Sequence, residues 1–338
     1  MSMFRCIIIG NESLAVQCGE MLLEAGHGIT AVVTRNRDVS DWARSHDLPV
    51  HAPGADLAGR LAGISFDWLF SIANLDLIPE AILDRAGKGA VNFHDGPLPR
   101  YAGLNAPVWA RINREQRHGI TWHMISGGID KGDIIAQSEF DITAKDTGLT
   151  LNTKCYSAAI ESFGTVISAL ESGTPDPAPQ DLSQRSYFAR DDRPHAAGRL
   201  DFTQAADAVI ALVRALDHGD YWNPLCCPKI AARDRTWLPR TASISEGGTD
   251  ALPGTVIAAD ADTLTVATAT EPVVLGGFRD CFGAITRADI IASPGDLLQS
   301  AAAPDADLIT AALAQALPGE AHWRARLETA SHPELPLI

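Results

Sequence analysis

The chain has 338 residues, with 27 Lys+Arg against 42 Asp+Glu and a formal net charge of −15 when the histidines are neutral. Hydrophobic residues at 46% and charged residues at 20% exclude a fibrous or intrinsically disordered chain and leave room for two domains with cores of their own. An acidic chain gains little electrostatic help toward phosphate backbones or anionic lipid, which disfavours nucleic acid and membrane surfaces as partners, and no apolar run reaches the roughly 18 residues of a membrane span.

The N-terminal residues run directly into Cys6-Ile7-Ile8-Ile9, too short for the apolar region of a secretion signal. The six cysteines are scattered apart from the adjacent Cys226 and Cys227, and none sits in a CxxC frame. They read as reduced thiols, which predicts a cytoplasmic protein with no disulfide framework and no bound metal.

Residues 4 to about 173 alternate short apolar runs with amphipathic stretches, the rhythm of an α/β sheet wound by crossover helices. Residues 4–9 read as a buried strand, Gly10-Asn11-Glu12-Ser13 as a turn, and 14–24 as a helix capped by Ser13 and stopped by Gly26. Next come a strand at 29–34, a helix at 39–46, a short strand at 49–52, a helix near 55–62, a strand at 67–73 and a helix at 80–85 entered through Pro79. A strand at 89–94 breaks off in Asp95-Gly96-Pro97-Leu98-Pro99. A helix near 107–114, a hairpin-like pair at 119–125 and 133–142, and a long helix at 149–172 complete this half.

Three prolines in residues 174–180 suggest a surface linker, with the first domain ending between there and about residue 198. A helix at 201–217 follows, then strand-like runs at 253–257, 263–268, 272–276 and 285–291 that suggest a small barrel. Alanine-rich residues 300–316 and then 321–330 read as helical. The proline-rich end at 333–338 carries neither cap nor polar tail, which fits either a cut from a longer polypeptide or a natural end packed on a surface.

The G-x-G-x-x-G fingerprint is absent after the first strand, as are a Walker loop and a G-x-S-x-G elbow, so dinucleotide chemistry is disfavoured on a fold of this type. The informative residues lie at the end of the strand at 89–94, where open α/β sheets gather ligands. Side chains alternate along a strand, so Asn92 and His94 share one side while Phe93 faces the other. Asp130, in the glycine-rich run Gly127-Gly128-Ile129-Asp130-Lys131-Gly132-Asp133, is placed where a fold brings its carboxylate to the histidine. An amide donor, a proton carrier and an orienting anion suit acyl transfer through a tetrahedral intermediate.

The segments Asn92-Phe-His-Asp-Gly-Pro-Leu-Pro-Arg-Tyr-Ala-Gly-Leu-Asn105, His118-Gly-Ile-Thr-Trp-His-Met124 and Gly128-Ile-Asp-Lys-Gly-Asp133 resemble the formyltransferases that use 10-formyltetrahydrofolate. The resemblance covers residues 1 to about 295. It implies a Rossmann-like catalytic domain (1–195), an OB-like β-barrel subdomain (196–297), and a tail or the start of a following domain (298–338). Tyr101 to Asn105, Trp122-His123, Tyr187-Phe188, Asp192-Arg-Pro194 and 214–224 look most like formylation domains of nonribosomal peptide synthetases, and His322 to Leu327 is similar to the opening of a condensation-type domain.

The resemblance implies catalysis by Asn92, His94 and Asp130. It implies contacts to the folate co-substrate from Ile72, Asn74, Leu75, Leu77 and Ile78, in a loop whose backbone meets the pterin, and from Gly128, Ile129 and Asp133. Asp133 also fits a turn cap. Arg100, Tyr101, Asn105 and His123 are candidates for the acceptor side, while His118 reads as a solvated loop residue. The acceptor implied is an amine, an aminoacyl group on a carrier protein of the same or a partner synthetase. A free N-hydroxyornithine is the nearest alternative, and the net charge tilts the choice away from methionyl-tRNA. A formyltetrahydrofolate hydrolase would use the same triad with water, but it carries a regulatory domain ahead of the catalytic one.

Overall fold

The computed structural model describes residues 3–172, 175–221, 223–298 and 305–328. The chain divides into two compact units, Met1–Arg190 and Asp191–Ile338. No helix among the described residues is long and apolar enough to cross a membrane.

The first unit runs β1 (Arg5–Gly10), α1 (Ser13–Glu24), β2 (Gly28–Val33), α2 (Arg37–Ser45), β3 (Val50–His51), α3 (Leu57–Arg60), β4 (Phe66–Ile72), α4 (Glu80–Leu83), β5 (Ala86–His94), β6 (Ala102–Gly103), α5 (Ala106–Ile112), β7 (Arg117–Met124), β8 (Ile134–Asp141), α6 (Gly148–Glu171) and β9 (Tyr187–Phe188). Seven strands form one sheet in the order β3-β2-β1-β4-β5-β7-β8, parallel from β3 to β5 and antiparallel at β7 and β8. Alternation splits each strand between two cores. Cys6, Ile8, Val91, Phe93 and Trp122 pack with α1 and α6, while Ile7, Ile9, Leu69 and Ala90 pack with α3 and α4. Gly10 is dictated by proximity, since a Cβ there would lie 2.5 Å from the Ile72 carbonyl oxygen.

The strand expectations hold to within a few residues, and the helix starts are corrected by capping. Glu12, not Ser13, occupies the cap position of α1, and no side chain bonds there. Asn36 caps α2 by accepting from the amides of Asp38 and Val39, which starts that helix two residues early. The stretch expected as a linker does pair: its prolines alternate with residues that keep an N–H, and Ala178 exchanges hydrogen bonds of 2.7 and 2.8 Å with Ile134. Gly173 and Thr174 of that stretch, Trp222 and the end at 333–338 lie outside the described residues.

The second unit holds α7 (Ala206–Ala215), β10 (Ile230–Ala232), β11 (Arg235–Trp237), β12 (Thr241–Ile244), β13 (Val256–Ala259), β14 (Thr263–Val266), β15 (Val273–Gly276), α8 (Ala288–Ile291) and α9 (Asp305–Glu328). Its ladders are a four-stranded antiparallel sheet, β12-β15-β14-β13, and a β10-β11 pair, both open among the described residues. Leu200, Phe202, Val209, Val213, Val256, Leu264 and Leu275 share its core. The strand expected at 285–291 is replaced by one bridge, Ile285 to Arg279, and by α8, where Asp289 in the first turn favours a helix. Within the described residues 305–328 the two helical stretches expected in the tail are one helix running through Pro318, and 300–304 and 329–330 of those stretches lie outside the described residues.

Candidate active site

The chain leaves β5 at His94 and turns through residues 95–99, with a cis peptide between Leu98 and Pro99. Glycine is required at position 96, because a Cβ would sit 2.7 Å from His94 Nε2 and 3.0 Å from the Tyr101 oxygen. Thr121, opposite His94 on β7, pins the turn: its hydroxyl accepts from the Leu98 amide at 3.0 Å and donates to the Gly96 carbonyl at 2.8 Å. Gln137 on β8 donates to the Leu98 carbonyl and to Thr121, at 2.8 and 2.9 Å.

This brace fixes His94. Its Nε2 lies 2.8 Å from the Tyr101 carbonyl, which can only accept, so Nε2 carries the hydrogen of the neutral ring and Nδ1 is left with the lone pair. Nδ1 faces two carboxylates, Asp130 Oδ2 at 3.7 Å and Asp95 Oδ1 at 3.9 Å. Asn92 projects on the same side and meets its cross-strand partner His123, Nδ2 to Nε2 at 3.1 Å. His123 Nδ1 donates to the Met124 carbonyl at 2.8 Å, so in the neutral ring Nε2 accepts from Asn92 and the second amide hydrogen of Asn92 remains available.

Asp130 sits in a left-handed conformation, φ 51°, in the turn between β7 and β8. Its Oδ2 accepts the Gly103 amide at 2.8 Å and its Oδ1 lies 3.5 Å from His123 Nε2. Burial alone would raise its carboxyl, but the His123 imidazole, the His94 charge and the Gly103 N–H outweigh that and hold it at about 2. Asp95 goes the other way: burial raises it, against the pull of His94, and the Asp130 charge raises it further. Burial lowers His118 to about 4, so it stays neutral while its Nε2 donates to the Asp95 carbonyl at 2.8 Å. The expectation of a solvated His118 is therefore corrected, because β7 carries it into the interior.

The structure brings Asn92, His94, Asp130 and His123 together. It places the other expected residues as follows. Ile72 is buried and Ile78 packs on the core, while Asn74 holds the loop by donating to the Asp76 carbonyl at 2.8 Å. Leu75 and Leu77 stand 68% and 81% exposed at the end of β4. Gly128 has φ 106°, Ile129 is exposed beside it, and Asp133 is exposed with its carbonyl accepting the Met124 amide. On the acceptor side, Tyr101 is buried: its ring stacks on Phe188 and its hydroxyl donates to Glu115 at 2.8 Å, so it serves the site through its carbonyl. Arg100 is paired with the same Glu115, and Asn105 stands in the left-handed cap position of α5.

Sequence reasoning missed the segment that returns after the prolines. Gln180 donates to the carbonyls of Asp130 and Gly132, at 3.0 and 2.6 Å. Ser186 accepts the Tyr101 amide, Arg185 donates to the Ile129 carbonyl and Arg190 to the Leu75 carbonyl, so one segment ties down both loops at the strand ends. Its only sequence signal was the alternation of prolines with hydrogen-bonding residues.

Residues 8–167 match the family described as Formyl transferase. The first unit is a formyltransferase domain, and the protein is an enzyme of that class. It is 28% identical over 229 residues, 62% of this chain and 72% of the relative, to methionyl-tRNA formyltransferase of Alkaliphilus oremlandii. In fold it resembles the N-formyltransferase of Helicobacter canadensis, solved with folinic acid and dTDP-3-aminofucose, with a TM-score of 0.65 at 19% identity over 81% of this chain and 99% of that one. HypX of Aquifex aeolicus, solved with tetrahydrofolic acid, is similar over 86% of this chain and 47% of its own, with a TM-score of 0.61 at 18% identity.

Proposed function

We propose that this formyltransferase moves the formyl group of 10-formyltetrahydrofolate to the amine of an aminoacyl group on a peptide-synthetase carrier protein. The observation that carries the transfer chemistry is the meeting of Asn92, His94 and Asp130 at the end of β5, with His94 Nδ1 turned toward Asp130 at 3.7 Å. The fit of the donor rests on exposed Leu75, Leu77 and Ile129, which give a planar ring system apolar surface to lie on beside that meeting point. When bound, formyl-folate supplies an activated carbonyl carbon.

The protein's part follows from the geometry. Asn92 donates its second amide hydrogen to the oxygen that gains charge as the amine attacks. His94 takes and returns a proton at Nδ1, the nitrogen free of its backbone anchor. Asp130, kept ionised, holds the imidazolium that forms. The acceptor assignment is supported by the likeness of Tyr101 to Asn105, Tyr187-Phe188 and 214–224 to synthetase formylation domains. On this reading the second unit is the OB-like subdomain of such a protein. The net charge of −15 weighs against a tRNA acceptor.

Mass spectrometry of the protein with 10-formyltetrahydrofolate and, in turn, an aminoacyl carrier protein, an amino-sugar nucleotide and methionyl-tRNA tests this. Gain of one formyl group on the carrier-bound amine is expected. Transfer to the sugar nucleotide or the tRNA alone, or to none of the three, overturns the acceptor assignment.

A further inference from the structure

The turn after β5 holds a second carboxylate that the chemistry above leaves unused. Asp95 Oδ1 lies 3.9 Å from His94 Nδ1, almost as near as Asp130 Oδ2 at 3.7 Å, yet the two acids are held differently. Asp130 accepts the Gly103 amide, faces His123, and has a side chain only 11% exposed. The Asp95 backbone is anchored, because His118 Nε2 and Cys155 Sγ both donate to its carbonyl, at 2.8 and 3.8 Å. Its carboxylate accepts from no other residue's side chain among those described, and the Asp95 side chain, with Oδ1 toward His94, is 27% exposed.

The groups facing Asp95 are His94 and Asp130, His118 from β7, and Cys155 and Tyr156 from α6. Burial keeps His118, Cys155 and Tyr156 neutral at neutral pH, so the charges that matter to Asp95 are those of His94 and Asp130.

We propose that Asp95 is the exit by which the proton shed by an ammonium acceptor passes from His94 to solvent. The proposal rests on the formyl-transfer reading and assigns the proton balance of that reaction. An amine of ordinary basicity arrives at neutral pH as R–NH3+. Formylation forms one C–N bond to the acceptor and breaks the C–N bond to the donor nitrogen. Of the three ammonium protons, one stays on the formamide, one goes to the donor nitrogen with the electron pair of the broken bond, and one must reach water.

His94 can take that last proton only at Nδ1, since Nε2 holds its hydrogen against the Tyr101 carbonyl. Asp130, held at about 2, is too weak a base to accept it from the imidazolium. Asp95, raised by burial and by the Asp130 charge and still partly exposed, is the better acceptor. One carboxylate holds the histidine and the other drains it.

The test compares two acceptors with 10-formyltetrahydrofolate as donor: an aminoacyl pantetheine thioester just below neutral pH, where its amine is largely charged, and hydroxylamine, which is still largely neutral there. Asp95→Asn should slow transfer to the charged amine about 10-fold more than transfer to hydroxylamine, with Asp95→Glu recovering most of the difference. Equal losses with both acceptors overturn the proposal in favour of a structural role. A second measurement needs no turnover: the Asp95 carboxyl, followed by 13C NMR, should titrate at higher pH when His94→Gln removes the facing positive charge. An Asp95 titration indifferent to His94→Gln overturns the relay. Failure of both acceptors with the intact protein overturns the formyl-transfer reading, and the exit falls with it, whereas unequal or equal losses among the variants judge the exit by itself.

Discussion

Two loops flank the end of β5, and they are built to opposite specifications. In the turn from Asp95 to Gly103 the amides of Leu98, Tyr101 and Gly103 and the carbonyls of Asp95, Gly96, Leu98 and Tyr101 are held by the side chains of Thr121, Ser186, Asp130, His118, Gln137 and His94, and residues 96, 98, 101 and 102 are buried. In the loop from Ala73 to Pro79, Asn74 and the guanidinium groups of Arg35 and Arg190 are the braces, and Leu75 and Leu77 stand in solvent. The first arrangement fixes donors and carboxylates before any ligand arrives, which is what stabilising a transition state requires. The second leaves apolar surface to be covered by what binds, so its substitutions should act on affinity and those in the turn on rate.

The largest effect that separates them is expected at Asp130. Asp130→Asn removes the anion facing His94 Nδ1 and should lower kcat about 10³-fold with little change in folate affinity, measured by steady-state transfer and by binding of the donor. The same carboxyl gives an acid-stability signature. Its folded-state value of about 2 lies below the ordinary 3.8, so its contribution of about 2 kcal/mol is complete above about pH 4 and is lost as pH falls through about 2. Asp130→Asn should flatten the fall in unfolding free energy across that interval, and a variant that tracks the parent there would show that the carboxylate is not held as described. Asn92→Ala should follow, with a loss of about 10²–10³ in kcat and an unchanged dissociation constant for the donor. A loss confined to KM would move Asn92 from the reacting oxygen to the binding surface.

How far each loop could be read beforehand differs for a physical reason. Alternation along β5 placed Asn92 and His94 on one side with no knowledge of the fold, and the glycines around Asp130 marked a turn, so those residues were legible as a set. Tyr101 was legible as a residue near the site but not in its role, since a left-handed φ of 59° turns its ring onto Phe188 and its carbonyl onto His94. Gln180 was hidden: it lies 50 residues from Asp130 in a run whose alternating prolines carry no apolar periodicity, and only the return of the chain along β8 brings it to the turn. The strands at 230–232 and 235–237 were missed because runs of three residues give alternation too little length to register, and Thr241-Ala-Ser-Ile244 because it has little apolar content.

The comparison sharpens at the joints of the rigid turn. Gly103→Ala places a Cβ 2.0 Å from the Phe188 oxygen at a φ of 99°, so β6 and β9 must part, at a cost of about 3 kcal/mol in unfolding free energy. Gln180→Ala strips two carbonyls of their donor and should cost about 1–2 kcal/mol, with a drop in kcat larger than any rise in KM because the Asp130 turn loosens. Normal kcat in a destabilised Gln180→Ala would mean that Gly103 alone is enough to hold the carboxylate.

The smallest effect is the one that defines the other loop. Leu77, 81% exposed, contributes almost nothing to the folded state, so Leu77→Ala should leave the melting temperature where it is. If the donor covers this side chain on binding, truncation forfeits burial worth about 1–2 kcal/mol, a rise of roughly 5- to 30-fold in the donor's KM with kcat preserved. A fall in kcat instead would mean that the loop positions the reacting carbon as well as holding the donor, and the division of labour between the two flanks of β5 would have to be abandoned.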